Sequence, residues 1–108
     1  MLERFDVYSD AGHGWCKVPS KVLDALDMRP WDFTGYSYVG PDCLYLEKGC
    51  DLGRFMARYV EVTGETPHWR EHRCEGQSRI RSMPRNVWTD EEISNATYMS
   101  VQRALPLS

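Results

Sequence analysis

The chain has 108 residues, 42% of them hydrophobic and 27% charged, which excludes an intrinsically disordered polymer and leaves room for one core. A net charge of −3 and a pI near 5.5 argue against a protein that coats nucleic acid through a broad basic face. No apolar run approaches the ~18 residues of a membrane span, and the start from Met1 to Asp6 lacks an apolar signal core, so a cytoplasmic protein is expected, with Cys16, Cys43, Cys50 and Cys74 as free thiols.

In chain order, Phe5 and Val7 alternate with polar neighbours, as do Cys16 and Val18 after the turn Asp10-Ala11-Gly12-His13-Gly14. The pattern predicts two strands flanking a tight loop. Pro19-Ser20 then opens a short helix with Ser20 as N-cap and Val22, Leu23 and Leu26 as its apolar stripe, and Pro30 prevents its continuation. Tyr36-Ser37-Tyr38-Val39 and Cys43-Leu44-Tyr45-Leu46-Glu47, joined by Gly40-Pro41-Asp42, read as a hairpin.

The strongest helix follows. Leu52, Phe55, Met56, Tyr59 and Val60 recur on one face behind an Asp51 cap, and Gly64 supplies the stop. From Pro67 to Cys74 the chain reads as extended, and after Glu75-Gly76-Gln77 the run Ser78-Arg79-Ile80-Arg81 reads as a short final strand, with Ile80 inward and both arginines outward. Thr89-Asp90-Glu91-Glu92 is a capping-box pattern ahead of a broken stripe of Ile93, Ala96, Val101 and Leu105, which predicts a C-terminal helix.

The order β-β-α-β-β-α-β predicts a small α+β fold: a mostly antiparallel sheet with two helices on one face and a C-terminal helix. Residues 1–86 are assigned to a single domain and 87–108 to a C-terminal extension.

Asp10-x-Gly12-His13-Gly14-Trp15, Tyr36-Ser37-Tyr38, Tyr45-Leu46-Glu47-x-x-Cys50-Asp51 and Ser78-x-Ile80-Arg81-Ser82 stand in fixed order over residues 4–83. Together they resemble a family of small bacteriophage, prophage and plasmid proteins. The resemblance implies an accessory protein of a mobile element acting inside a bacterium, and it carries no activity that transfers residue by residue. Two features depart from the family pattern: Cys16 at a usually aliphatic position, and the tail beyond residue 86.

Four chemistries compete for the remaining residues. His68-x-x-x-His72-x-Cys74 and His13-x-x-Cys16 contain zinc-type ligands, but on a strand His68 and His72 lie about 13 Å apart at ~3.3 Å per residue, too far to share an ion. No metal and no cofactor is therefore expected. A nucleophilic cysteine needs a neighbouring base or a helix N-terminus, and Cys50 meets the second condition weakly, while His13 and Trp15 form a candidate ligand loop. No triad is recognisable, so an enzyme is the least favoured reading.

Arg70, Arg73, Arg79, Arg81 and Arg85 near Trp69 form a local basic stretch, interrupted by Glu71 and Glu75. Arginines beside an aromatic suit either nucleic acid or a protein hot spot. With 4 Trp, 6 Tyr and 3 Phe in so short a chain, the favoured expectation is binding to a bacterial host protein, as a defence inhibitor such as an anti-CRISPR. Its expected contact residues are Arg79, Arg81, Arg73, Arg70 and Trp69. A small nucleic-acid-binding regulator is the alternative, and an enzyme or ligand-binding protein using the His13 loop is third.

Overall fold

The structure is a computed structural model that describes residues 4–96. Strands β1 (Arg4–Ser9), β2 (Gly14–Pro19), β3 (Tyr38–Gly40), β4 (Cys43–Glu47) and β5 (His68–Arg73) form one sheet in the order β3-β4-β2-β1-β5. Helix α1 (Ser20–Ala25) follows β2, and α2 (Cys50–Thr63) joins β4 to β5. The expected element order and α+β class are thus observed. Every neighbouring pair is antiparallel except β1 and β5, which run parallel with Phe5 opposite Trp69. A parallel strand cannot be reached by a hairpin, and α2 supplies the crossover.

Strand alternation gives the sheet two unlike faces. Phe5, Val7, Cys16, Val18, Leu44 and Leu46 pack with Val22, Leu23, Leu26, Leu52, Phe55 and Tyr59, so both helices cover the same side. Phe5 meets Phe55 and Tyr59 edge-on, at 5.3 and 5.7 Å between ring centroids. On the opposite side a smaller cluster holds Trp15, Tyr38, Cys43, Tyr45 and Ile80. Burial pushes the Cys16 thiol up to about 12 and raises that of Cys43 as well, so both cysteines behave as inert core residues.

Local chemistry accounts for the ends of the elements. Gly64 closes α2 in the left-handed conformation, at φ 74°, as a stop glycine should. Within the α2 stripe, Leu52, Phe55 and Tyr59 are buried and Met56 is half-buried, but Val60 is exposed. The helix over residues 90–96 begins with the expected reciprocal pair: Thr89 N donates to Glu92 Oε1, and Glu92 N donates to Thr89 Oγ1. Val101 and Leu105 of the expected stripe lie outside the described residues.

Three local expectations are corrected. Ser20 is the first residue of α1 rather than its cap; Pro19 occupies the cap position and no side chain bonds there. Asp51 lies inside α2, behind Gly49, and its buried carboxylate accepts from Thr34 N, Thr34 Oγ1 and Ser37 Oγ. It therefore ties the 34–37 loop to the helix. Ser78 to Arg81 is not a strand: Arg79–Ser82 is a 3-10 turn, with Ser78 Oγ accepting from Ile80 N. Ile80 is buried as expected, but on the sheet face opposite the helices. A four-residue alternation is too short to distinguish a strand from a turn whose capping serine has its own bond to make.

The chain after this turn runs along the outer edge of β3. Val39 N donates to Pro84 O, and Asn86 N donates to Ser37 O. The Asn86 side-chain amide donates to the carbonyls of Pro30, Phe33 and Thr34, and its oxygen accepts from Trp88 Nε1 at 2.6 Å. Trp88 packs edge-on against Trp31. Among the described residues no helix is long and apolar enough to cross a membrane.

Candidate functional site

The site is built around the turn that ends β1. Asp10 N donates to His13 O, and Asp10 Oδ1 accepts from the backbone N–H groups of Gly12 and His13, so one carboxylate oxygen folds the loop upon itself. The other oxygen receives Ser78 N at 3.0 Å and Arg81 Nε at 2.7 Å, and Arg81 Nη2 reaches Oδ1 at 2.9 Å. This bidentate guanidinium, followed by the Ser78 and loop N–H groups, holds the Asp10 carboxyl well below the usual carboxylate range against the opposing effect of burial.

Arg81 also positions the histidine. Its Nη2 lies 3.1 Å from His13 Nδ1, and since a guanidinium only donates, Nδ1 accepts and Nε2 carries the ring proton. His13 stacks on Trp15 at 6.0 Å and 19°, and the Arg81 guanidinium carbon sits 5.1 Å from the Trp15 ring centroid. Trp15 is buried, and among the described residues its Nε1 is the one buried side-chain polar atom without a hydrogen-bond partner. Next to it, 5.9 Å away and at 74°, is Tyr38, and over Tyr38 at 5.9 Å is the guanidinium of Arg85. Arg85 is held there because its segment pairs with the edge of β3.

These groups line a cleft of about 600 Å³ that also takes in Thr34, Tyr36, Glu47 and Cys50. It lies where β2 begins and β4 ends, at the Trp15–Glu47 pairing. All four spaced motifs of the sequence contribute to it: His13 and Trp15 from the first, Tyr36 and Tyr38 from the second, Glu47 and Cys50 from the third, Arg81 from the fourth. Comparison with protein-family models, curated proteins and solved structures finds no match. The chemistry of the cleft has to be read from its own residues.

The expected binding residues do not form one surface. Arg79 is exposed and lines a separate hollow beside Tyr8, Tyr45 and Met83, whereas Arg81 is folded onto Asp10. The shared projection expected of the two arginines is therefore not observed. On β5, alternation separates Arg70 and His72 from Trp69 and Arg73. Arg70 and His72 both bond Asp6 Oδ1, at 2.7 and 2.9 Å, and His72 stacks on Tyr8. Trp69 is half-buried against Phe5 and the core, while Arg73 is exposed.

His13 and Trp15, by contrast, do sit together at the cleft. Trp15 is a buried wall, not a loop residue. Sequence reasoning passed over Tyr36, Glu47 and Arg85 as partners of His13, and the joint occurrence of the four motifs was the signal that could have united all but Arg85. Cys50 and His13 share the cleft, but no hydrogen bond joins them, and the histidine nitrogen able to accept a proton is occupied by Arg81. A nucleophile, its base and an orienting group are not assembled there.

Proposed function

We propose that this is a non-enzymatic binding protein whose working surface is the His13–Arg81 cleft, serving as an accessory protein of a bacterial mobile element that engages and modulates a component of its host. Inhibition of a host defence system, as an anti-CRISPR does, is the role in which such a protein would act. The observation that carries the reading is the convergence of four separated motifs on one open cleft, walled by aromatic rings and two guanidiniums, without an assembled catalytic group. Recognition sites combine these elements: arginine and aromatic anchors, and concavity. The β5 arginines support the reading less, because they divide between two faces and Arg70 is already paired.

The test is recovery of bound material from bacterial lysate by the tagged protein and by a Tyr36→Ala, Arg85→Ala variant. A stoichiometric partner held by the parent and lost by the equally folded variant supports the cleft. Retention by that variant, with loss on Arg73→Ala instead, overturns it in favour of β5.

A further inference from the structure

We infer that the cleft is a seat for a 5′-phosphorylated nucleotide carrying an amino-bearing base, either free or as the end of a single strand. The inference rests on the reading that the cleft is the working surface.

Its first support is the disposition of charge. Two guanidiniums share one wall, fixed over neighbouring rings by Trp15 and Tyr38. Arg81 commits Nε and Nη2 to Asp10 and His13, which leaves Nη1 without a bond among the described residues. The Arg85 guanidinium has neither an ion pair nor a hydrogen bond among them, and it sits over the Tyr38 ring. Asp10 thus pairs with Arg81 alone, and both arginines line the cleft. Guanidinium is suited to the oxygens of a phosphate through its planar fork of N–H groups. His13 Nε2–H adds a donor to the same cleft.

The second support is a group that a simple anion site would not contain. Glu47 lines the cleft with a carboxylate that makes no ion pair among the described residues. Being acceptor-only, it would repel a lone anion but would receive the N–H groups of an amino-bearing base. Tyr36, 70% exposed at the cleft, offers a free ring face, and its backbone is held by Thr34 Oγ1, itself bound to Asp51. Stacking on such a ring suits any base, and hydrogen bonding to Glu47 selects among bases. Phosphate, flat ring and ring donors occur together in a nucleotide, and about 600 Å³ falls within the ~300–1,000 Å³ usual for small-molecule sites.

The experiment is titration of the full chain, followed by calorimetry, with AMP, GMP, CMP and UMP, the matching nucleosides, inorganic phosphate, and a 5′-phosphorylated single-stranded oligonucleotide beside its unphosphorylated form. An amino-bearing monophosphate should bind at least about tenfold more tightly than its nucleoside and than phosphate alone. Arg85→Ala should erase that margin, and Glu47→Gln should remove the preference over UMP, with far-UV spectra confirming that both variants fold. Saturation by monophosphates identifies a free ligand; binding of the phosphorylated oligonucleotide alone identifies a strand end. No binding of either, or binding indifferent to Arg85→Ala, overturns the inference. If host material is still captured through Tyr36 and Arg85 while nucleotides fail, the cleft reading stands and the nucleotide does not.

Discussion

Arg81 reaches back across 71 residues to clamp Asp10 with two hydrogen bonds of 2.7 and 2.9 Å, and the Asp10 side chain is almost wholly removed from solvent. Arg79, two positions earlier, is exposed and outside this clamp. Arg79→Ala should therefore leave stability within about 0.5 kcal/mol of the parent, whereas Arg81→Ala strands a buried carboxylate and should melt clearly lower. Thermal melts of the two single variants decide the point; equal midpoints would show the clamp to be energetically idle.

Acid should weaken the fold through the same carboxylate. The Asp10 carboxyl is lowered chiefly by Arg81, and that of Asp6 chiefly by Arg70, from an ordinary value of 3.8. A carboxyl lowered in the folded state contributes stability that is complete above the unfolded value and is lost as pH falls below it. Denaturant midpoints should thus change little from these groups between pH 7 and about pH 5, then fall steeply below about pH 4. Asp10→Asn should flatten that acid limb, and an unchanged limb would assign it to other groups.

Phe55 is completely buried at the centre of the α2 stripe, whereas Val60, on the same periodicity, is 41% exposed. Phe55→Ala should cost about 3–5 kcal/mol, a large part of a small domain's total. Val60→Ala should stay within about 0.5 kcal/mol. Urea unfolding measures both, and comparable losses would mean that Val60 is covered in solution.

Two glycines should respond in opposite directions to alanine. Gly53 is exposed within α2 and a Cβ there meets nothing within 4 Å, so Gly53→Ala should stabilise by roughly 0.5–1 kcal/mol through helix propensity. At Gly40 a Cβ would lie 2.6 Å from the Tyr45 ring and 2.8 Å from Cys43 Sγ, and Gly40→Ala should cost about 1–3 kcal/mol. Denaturation midpoints of the pair check the signs.

A chain ending at residue 86 retains every strand, but loses the Trp88 bond to Asn86 and the Trp31–Trp88 contact. It should fold, and a chain ending at residue 88 should be more stable by about 1–2 kcal/mol. Cooperative melting of both chains tests this; unfolding of both would assign the segment beyond residue 88 to the core.

Elements held by local chemistry were legible in the sequence. The alternation of Phe5 with Val7, the α2 periodicity, Gly64 and the Thr89–Glu92 pair each act within a few residues, and each gave the right element. What escaped depends on distant partners. Nothing near Ser78 indicates that Asp10 awaits its N–H and the Arg81 guanidinium, so the run read as a strand. Asp51 looked like a cap because its acceptors' partners, Thr34 and Ser37, come from a loop before the hairpin. On β5 the extended run was legible, but grouping Arg70 with Trp69 and Arg73 overlooked the alternation that separates it from them, and nothing local marked β1 as the partner.

The partnership of β5 with β1 carries a consequence for synthesis. Strand β1 leaves the ribosome first among the elements, yet one of its two neighbours is encoded by residues 68–73 and the clamp on Asp10 by residue 81. At ~5–20 residues per second, roughly 4–14 s separate Asp10 from Arg81. During that interval the nascent chain has the β2 side of β1 and an Asp10 without its guanidinium. The cleft then forms in a late step, once residues 78–85 arrive, so nascent chains stopped short of that point carry no competing copy of the site.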